Sequence, residues 1–150
     1  ANQTVSPYKL KAIDENSAAV RSSRLAYDMA GVTAQDIDAC EFYDCFTYTV
    51  EATLRDYGFF KPENVREFIT REKIGPGGDL PVNTSGGMLS EGYFMGLTPV
   101  SEAVMQLRGE CGERQLGVYP GTKKPELIMC SDNGAVFQSN SALILERGDF

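Results

Sequence analysis

"ELIMCSDNGAVFQSNSALILER" (126–147) holds two runs dense in Leu, Ile and Met, ELIMCS and SALILER, joined through DNGAVFQSN. Short apolar runs of this kind, bounded by polar and glycine-containing segments, read as buried strands. Upstream, "ACEFYD" (39–44) reads as a third strand and "LPVNT" (80–84) as a fourth. Helical patterns stand between them. From a cap at Asp14 or Asn16, apolar Ala18, Leu25 and Met29 share one helical face, and Gly31 ends the helix. TAQDI (33–37) reads as one turn capped by Thr33. A second helix carries Phe46, Val50, Leu54 and Tyr57 and stops at Gly58. KPENVREFITREKI (61–74) fits a charged surface helix, and Thr98-Pro99 opens another with Val100, Ala103, Val104 and Leu107 inside and Gly109 after it. Strands alternating with helices predict an α/β fold: a layered α-β-α domain whose mixed, mostly parallel sheet has four to five strands, the last antiparallel. Residues 1–150 are read as one domain, with 1–13 an irregular lead-in.

Composition sets limits on function. The chain has 150 residues, 42% of them hydrophobic, enough for one core without disulfides or metal. No apolar run is long enough for a membrane span, and the polar N-terminus does not look like a signal peptide, so a cytoplasmic location is expected. A net charge of −7 argues against nucleic acid. It also means that a large anionic ligand has to find positive charge locally or on another polypeptide. The four cysteines (40, 45, 111, 130) include no C-x-x-C pair, and the chain has no histidine. A Ser-His or Cys-His nucleophile pair therefore cannot be built from this chain alone.

In α/β sheets ligands gather beyond the carboxyl ends of strands. That rule selects YDCF (43–46), NTSGG (83–87) and CSDNG (130–134) as one rim. Gly86 and Gly87 fit either a tight turn or a close approach of backbone N–H groups to a substrate oxygen. Tyr43 and Tyr93, taken singly, read as half-buried packing residues or as acid–base groups. Asp44 and Asp132 read as turn or cap residues, or as parts of a site. Cys130 has no histidine to activate it and reads as a structural thiol. The sequon-like Asn2 and Asn83 carry little weight without a secretion signal.

The order DIDACEFYDCF (36–46), LPVNTSGGMLSEGY (80–93), AVMQLRGECGERQ (103–115) and CSDNGAVFQSNSALILER (130–147) resembles the C-terminal half of thiolases, most closely the sterol-carrier-protein-x type, from about residue 16 onward. The chain departs from that family where its chemistry lies. Thiolases carry Asn-Glu-Ala-Phe or His-Asp-Cys-Phe where this chain has Tyr43-Asp44-Cys45-Phe46. They carry Gly-Gly, four residues, then Gly-His-Pro, where this chain has Gly86-Gly87, four residues, then Gly92-Tyr93-Phe94. Double replacement by tyrosine is similar to the lipid-transfer-protein aldolases of bacterial steroid side-chain degradation.

That resemblance implies retro-aldol cleavage of a tertiary β-hydroxyacyl-CoA to a ketone and propionyl-CoA, with the coenzyme A thioester as substrate and neither cofactor nor metal. It implies Tyr43 and Tyr93 as acid and base, with Asp44 in support. Asp44, Ser85, Gly86, Gly87, Cys130 and Asp132 would line the substrate site, with backbone N–H groups around Gly86 and Gly87 holding the thioester oxygen. Cys130 falls near the second cysteine of the thiolase Cys-x-Gly motif, and Asp132 replaces its glycine. The implied partners are a missing N-terminal thiolase half, an OB-fold acyl-CoA-binding protein and a second copy in a homodimer. The chain then reads as a fragment of a longer one, expected by itself to be inactive and prone to self-associate. A sterol-carrier-type acetyl-CoA acyltransferase and a non-catalytic acyl-CoA or lipid-binding module stay open beside the aldolase.

Overall fold

A computed structural model describes residues 18–134 and 139–148. The expected lead-in, the cap at Asp14 or Asn16, the Asn2 sequon and part of the link between the last two strands lie outside the described residues. The elements follow as α1 (Ala18–Ala30), β1 (Ala39–Phe42), α2 (Thr47–Asp56), α3 (Val65–Phe68), α4 (Arg71–Ile74), α5 (Met88–Glu91), α6 (Leu97–Arg108), β2 (Leu127–Gly134) and β3 (Ser139–Glu146). Single 3-10 turns lie at Ala34–Asp36, Pro62–Asn64 and Gly112–Arg114.

The sheet runs β1-β2-β3. β1 pairs β2 in parallel, from Ala39 opposite Ile128 to Phe42 opposite Ser131. β2 pairs β3 antiparallel, from Leu127 opposite Glu146 to Gly134 opposite Ser139. Successive side chains of a strand face opposite ways, and the two apolar clusters follow that alternation. Cys40, Phe42 and Met129 join Ala19 of α1 and Leu54 of α2 on one face. Ala39, Ile128 and Cys130 join Ala103 and Leu107 of α6 on the other. Helices on both faces of one sheet give the expected α-β-α layering.

The sheet has three strands among the described residues where four to five were expected. LPVNT contributes one parallel bridge, Cys40 with Val82. Cys40 N–H donates to Pro81 O at 2.9 Å, and Asn83 N–H donates to Cys40 O at 2.8 Å. Pro81 has no N–H to extend the ladder, and Asn83 turns the chain away in the left-handed region at φ 53°. The segment 61–74 is broken rather than continuous. The Thr70 hydroxyl accepts from Lys73 N–H at 3.3 Å, starting a new helix where the old one would have run on.

The buried face of α1 also differs from expectation. Leu25 and Met29 are 56% and 80% exposed, while Ala18, Ala19 and Ser23 are buried. α1 packs against β3, and the small side chains are what that approach admits. Val104 of α6 and Phe46 before α2 are likewise exposed rather than inside.

Candidate active site

β1 ends at Phe42, and the chain leaves its carboxyl end with Tyr43 and Asp44. Tyr43 N–H continues the ladder by donating to Ser131 O at 3.1 Å. Its ring meets that of Tyr93 edge to face, with centroids 6.3 Å apart and planes at 84°. The Tyr43 hydroxyl donates to the Tyr93 hydroxyl at 3.1 Å. Tyr93 is 64% exposed, so the pair opens to solvent on its side. The bond to Tyr93 is the chief cause holding the Tyr43 phenol up to about 12. Burial and the negative forms of Tyr93, Cys45 and Asp132 push the same way.

The loop that delivers Tyr93 is fastened to the β1 end by Asp44. This carboxylate is buried and accepts from Met88 N–H at 2.9 Å and Leu89 N–H at 3.4 Å, the opening amides of α5. Asn83 adds a second tie, its Oδ1 accepting from Phe42 N–H at 2.7 Å. Gly87 permits the approach. At φ 71°, a Cβ there would lie 2.2 Å from Asp44 Oδ2 and 2.9 Å from Asn83 Nδ2. Gly86 N–H donates to Asn83 O at 2.8 Å, and Gly87 N–H to Ser85 Oγ at 3.3 Å, so both amides have partners inside the loop. Asp44 likewise serves the backbone of α5.

The third stretch, CSDNG (130–134), was expected to follow a strand as a loop but lies within β2, where its residues from Cys130 to Gly134 pair with Leu143 to Ser139 of β3. The Asp132 carboxyl lies against Gly96, where a Cβ would come within 2.5 Å, and its charge reaches Tyr43. Cys130 is 1% exposed and belongs to the apolar cluster beneath α6. Burial, then Glu41, pushes its thiol up to about 12, so it is a core residue and not part of the rim.

Behind the tyrosine loop lies a polar cluster that the pattern reading missed. Glu41, buried in β1, accepts from Thr84 N–H at 3.1 Å, and its Oε1 lies in hydrogen-bond contact with the Thr84 hydroxyl oxygen at 2.7 Å. Glu102 of α6 is paired by Arg114 through Nε at 3.1 Å and Nη2 at 2.9 Å, and Gln106 Nε2 donates to it at 3.1 Å. Burial works against the Glu102 charge, but Arg114, Thr84 and Gln106 outweigh it and hold the carboxyl below the usual range. One signal was available in the sequence: an acid between Cys40 and Phe42 in an otherwise apolar strand.

The thiolase C-terminal domain-like family matches residues 4–147. The chain belongs to this family. As a thiolase C-terminal-like domain it is 38% identical over 123 residues to an acetyl-CoA acetyltransferase of Methanothermobacter thermautotrophicus, a match covering 77% of this chain and 31% of that protein. It is 39% identical over 83 residues to a steroid side-chain-cleaving aldolase of Thermomonospora curvata, covering 55% and 21%. In structure it is similar to an Ltp2-ChsH2(DUF35) aldolase, with TM-score 0.79, 25% identity, and coverage of 98% of this chain and 36% of that one. The thiolase-like domain thus spans about a third or less of the length of these relatives. Among the described residues no helix is long and apolar enough to cross a membrane, and no group of three or more Cys, Asp or Glu is placed to hold a metal.

Proposed function

We propose that this chain is the C-terminal catalytic part of a thiolase-like CoA-ester aldolase, a carbon–carbon lyase that cleaves a tertiary β-hydroxyacyl-CoA, of the steroid side-chain kind, to a ketone and propionyl-CoA. The observation that carries this reading is the contact of the Tyr43 and Tyr93 hydroxyls at 3.1 Å on the carboxyl edge of the sheet. Retro-aldol cleavage removes a proton from the substrate hydroxyl, sends the C–C electron pair into a thioester enolate, and returns a proton to the enolate carbon. One proton leaves and one arrives, so two phenols in contact can complete the cycle. One takes the hydroxyl proton as it passes its own to the other, which in the same relay delivers its own proton to carbon, so that both end as neutral phenols. A Tyr43 phenol held up to about 12 is not a free base at neutral pH, which favours this relay over a standing phenolate. Asp44 and Gly87 act as positioning residues that hold the Tyr93 loop against β1, and the charge of Asp132 reaches Tyr43 from β2.

The remaining parts are proposed with it. With a net charge of −7, the phosphates of coenzyme A have to meet positive charge placed locally or on another polypeptide, and we assign it to the second. An N-terminal thiolase half and an OB-fold acyl-CoA-binding protein would suit, in a cytoplasmic assembly built on a homodimer. Exposed Leu89, Phe94, Met95 and Leu97 flank Tyr93 as an apolar rim on which such a neighbour or a steroid ring would rest.

A second reading rests on the acetyltransferase relative, whose match covers more of this chain than that of the aldolase. Incubating a full-length protein carrying this domain, with its OB-fold partner, with a tertiary β-hydroxyacyl-CoA and no free coenzyme A separates the two. Ketone plus propionyl-CoA in the mass spectrum, lost in Tyr93→Phe, supports the aldolase. No cleavage, but thiolysis of a 3-ketoacyl-CoA once coenzyme A is added, makes it a thiolase.

A further inference from the structure

Thr84 stands between two acids. Its hydroxyl oxygen lies 2.7 Å from Glu41 Oε1 and 2.8 Å from Glu102 Oε1, and Gln106 Nε2 donates to that oxygen at 3.1 Å. A hydroxyl has one hydrogen to give, and ionised carboxylates only accept. With both acids charged, one of these short O···O contacts would have no hydrogen in it. The missing hydrogen therefore has to come from a carboxyl.

The surroundings decide which carboxyl carries it. Glu102 has the guanidinium of Arg114, the Gln106 amide and the Cys111 thiol at 3.5 Å, a donor set suited to an anion. Among the described residues Glu41 has the N–H and hydroxyl of Thr84 as partners, and it is 1% exposed. The other titratable groups around it are Glu102 on α6, Glu91 on α5, Cys40 on its own strand, Cys130 on β2 and Cys111 after α6. Among the described residues none of these groups brings a positive charge, and Arg114 is committed to Glu102.

We propose that Glu41 is a neutral carboxylic acid at neutral pH, donating to Thr84 Oγ1 while Thr84 donates to the Glu102 carboxylate, and that this chain seats the loop carrying Tyr93. Burial, the largest influence, pushes the Glu41 carboxyl up to about 8. The bonds from Thr84 oppose the rise, and the charges of Glu102 and Glu91 add to it. Thr84 lies between Asn83, which ties the loop to Phe42, and Ser85-Gly86-Gly87, which leads into α5. Ionising Glu41 removes the hydrogen from one Thr84 contact and sets a second buried anion beside Glu102. The Thr84 hydroxyl then keeps only one of its two acid contacts, the loop shifts, and the Tyr43–Tyr93 contact loosens with it. Glu41 acts through Thr84 and is a positioning residue.

The test is a carboxyl-carbon NMR titration of the protein labelled in glutamate, from pH 4 to 10. The expected result is one buried glutamate with a midpoint near 8 rather than 4.5, absent in Glu41→Gln. The wild-type titration alone decides if that variant fails to fold: every glutamate titrating below pH 6 overturns the proposal. The kinetic arm rests on the aldolase reading. Turnover of the full-length enzyme should fall through the same midpoint, and this alkaline limb should flatten in Glu41→Gln, whose amide gives Thr84 a hydrogen that does not titrate. A midpoint near 8 without aldolase turnover supports the Glu41 proton and removes only the aldolase. Normal titration in an active aldolase overturns the Glu41 proton alone.

Discussion

Two phenol oxygens 3.1 Å apart make Tyr43 and Tyr93 a unit rather than two independent residues. Tyr93→Phe removes a largely exposed hydroxyl, so folding should change by no more than about 0.5 kcal/mol, while turnover should fall on the order of 10²–10⁴-fold. If the pair relays one proton, Tyr43→Phe combined with Tyr93→Phe should be little worse than the more damaging single change. Steady-state kinetics of the three variants checks this, and losses that multiply would count against a relay. Gly87 is tested by folding instead. Alanine there meets Asp44 Oδ2 at 2.2 Å as well as carrying a left-handed φ, whereas at Gly109 the φ of 79° is met with open space. Both substitutions incur a conformational cost of about 1–2 kcal/mol. Only Gly87→Ala should add about 1–3 kcal/mol more, by driving Asp44 off the buried Met88 amide. Urea unfolding of the two variants gives that difference directly, and equal costs would mean that Asp44 yields freely.

At the scale of elements, one side chain joins three of them. Tyr57, at the end of α2, shares its single hydroxyl hydrogen between Asn140 Oδ1 at 2.8 Å and Ser141 O at 3.1 Å on β3, and its carbonyl accepts from the Tyr27 hydroxyl of α1 at 3.1 Å. Its ring packs edge-on against Phe42 at 5.3 Å. Tyr57→Phe keeps the ring and deletes the donor, so it should cost about 1–3 kcal/mol in urea unfolding and speed amide exchange in β3. A change under about 0.5 kcal/mol would mean that the apolar packing alone joins these elements. The sequence announced Tyr57 as the last apolar position of α2 but not this junction, because Asn140 lies 83 residues away. The same division holds elsewhere. Helix stops at Gly31, Gly58 and Gly109 were legible because a positive φ is a local demand. The buried face of α1 was not, because Ala19 and Ser23 are chosen by the closeness of β3 and not by their own hydrophobicity. Nor does any period place Glu41 beside Thr84, 43 residues on, or Tyr43 beside Tyr93, 50 residues on. The tyrosines came into view through the order of motifs resembling a family, and the acids, which lie outside its recognisable chemistry, did not.

Across the whole molecule, the buried acids set opposing pH limits. Asp38, just before β1, accepts from Lys123 at 2.5 Å and from the N–H groups of Glu126 at 2.7 Å and Leu127 at 3.0 Å, joining β1 to the start of β2. Burial opposes its charge, but these partners prevail and hold its carboxyl low, as Arg114 does for Glu102. A lowered carboxyl binds fewer protons in the folded chain than in the unfolded one. These two therefore stabilise fully above the unfolded pKa of about 4 and lose that contribution as pH falls through the folded value. Glu41 has the reverse sign. Raised from 4.5 to about 8, it keeps its proton on folding, so its contribution is complete below 4.5 and is lost as pH rises through 8. Urea-unfolding free energy should therefore peak at about pH 5 and decline until about pH 8, flattening beyond. The growing negative charge of the chain also weakens it on the alkaline side, so the decline by itself does not identify Glu41. Glu41→Gln makes that distinction, because it leaves every other charge in place and cannot titrate. Its curve should keep the acid limb and only the shallow alkaline slope of general repulsion, and an alkaline fall as steep as wild type would assign the loss to charges other than Glu41.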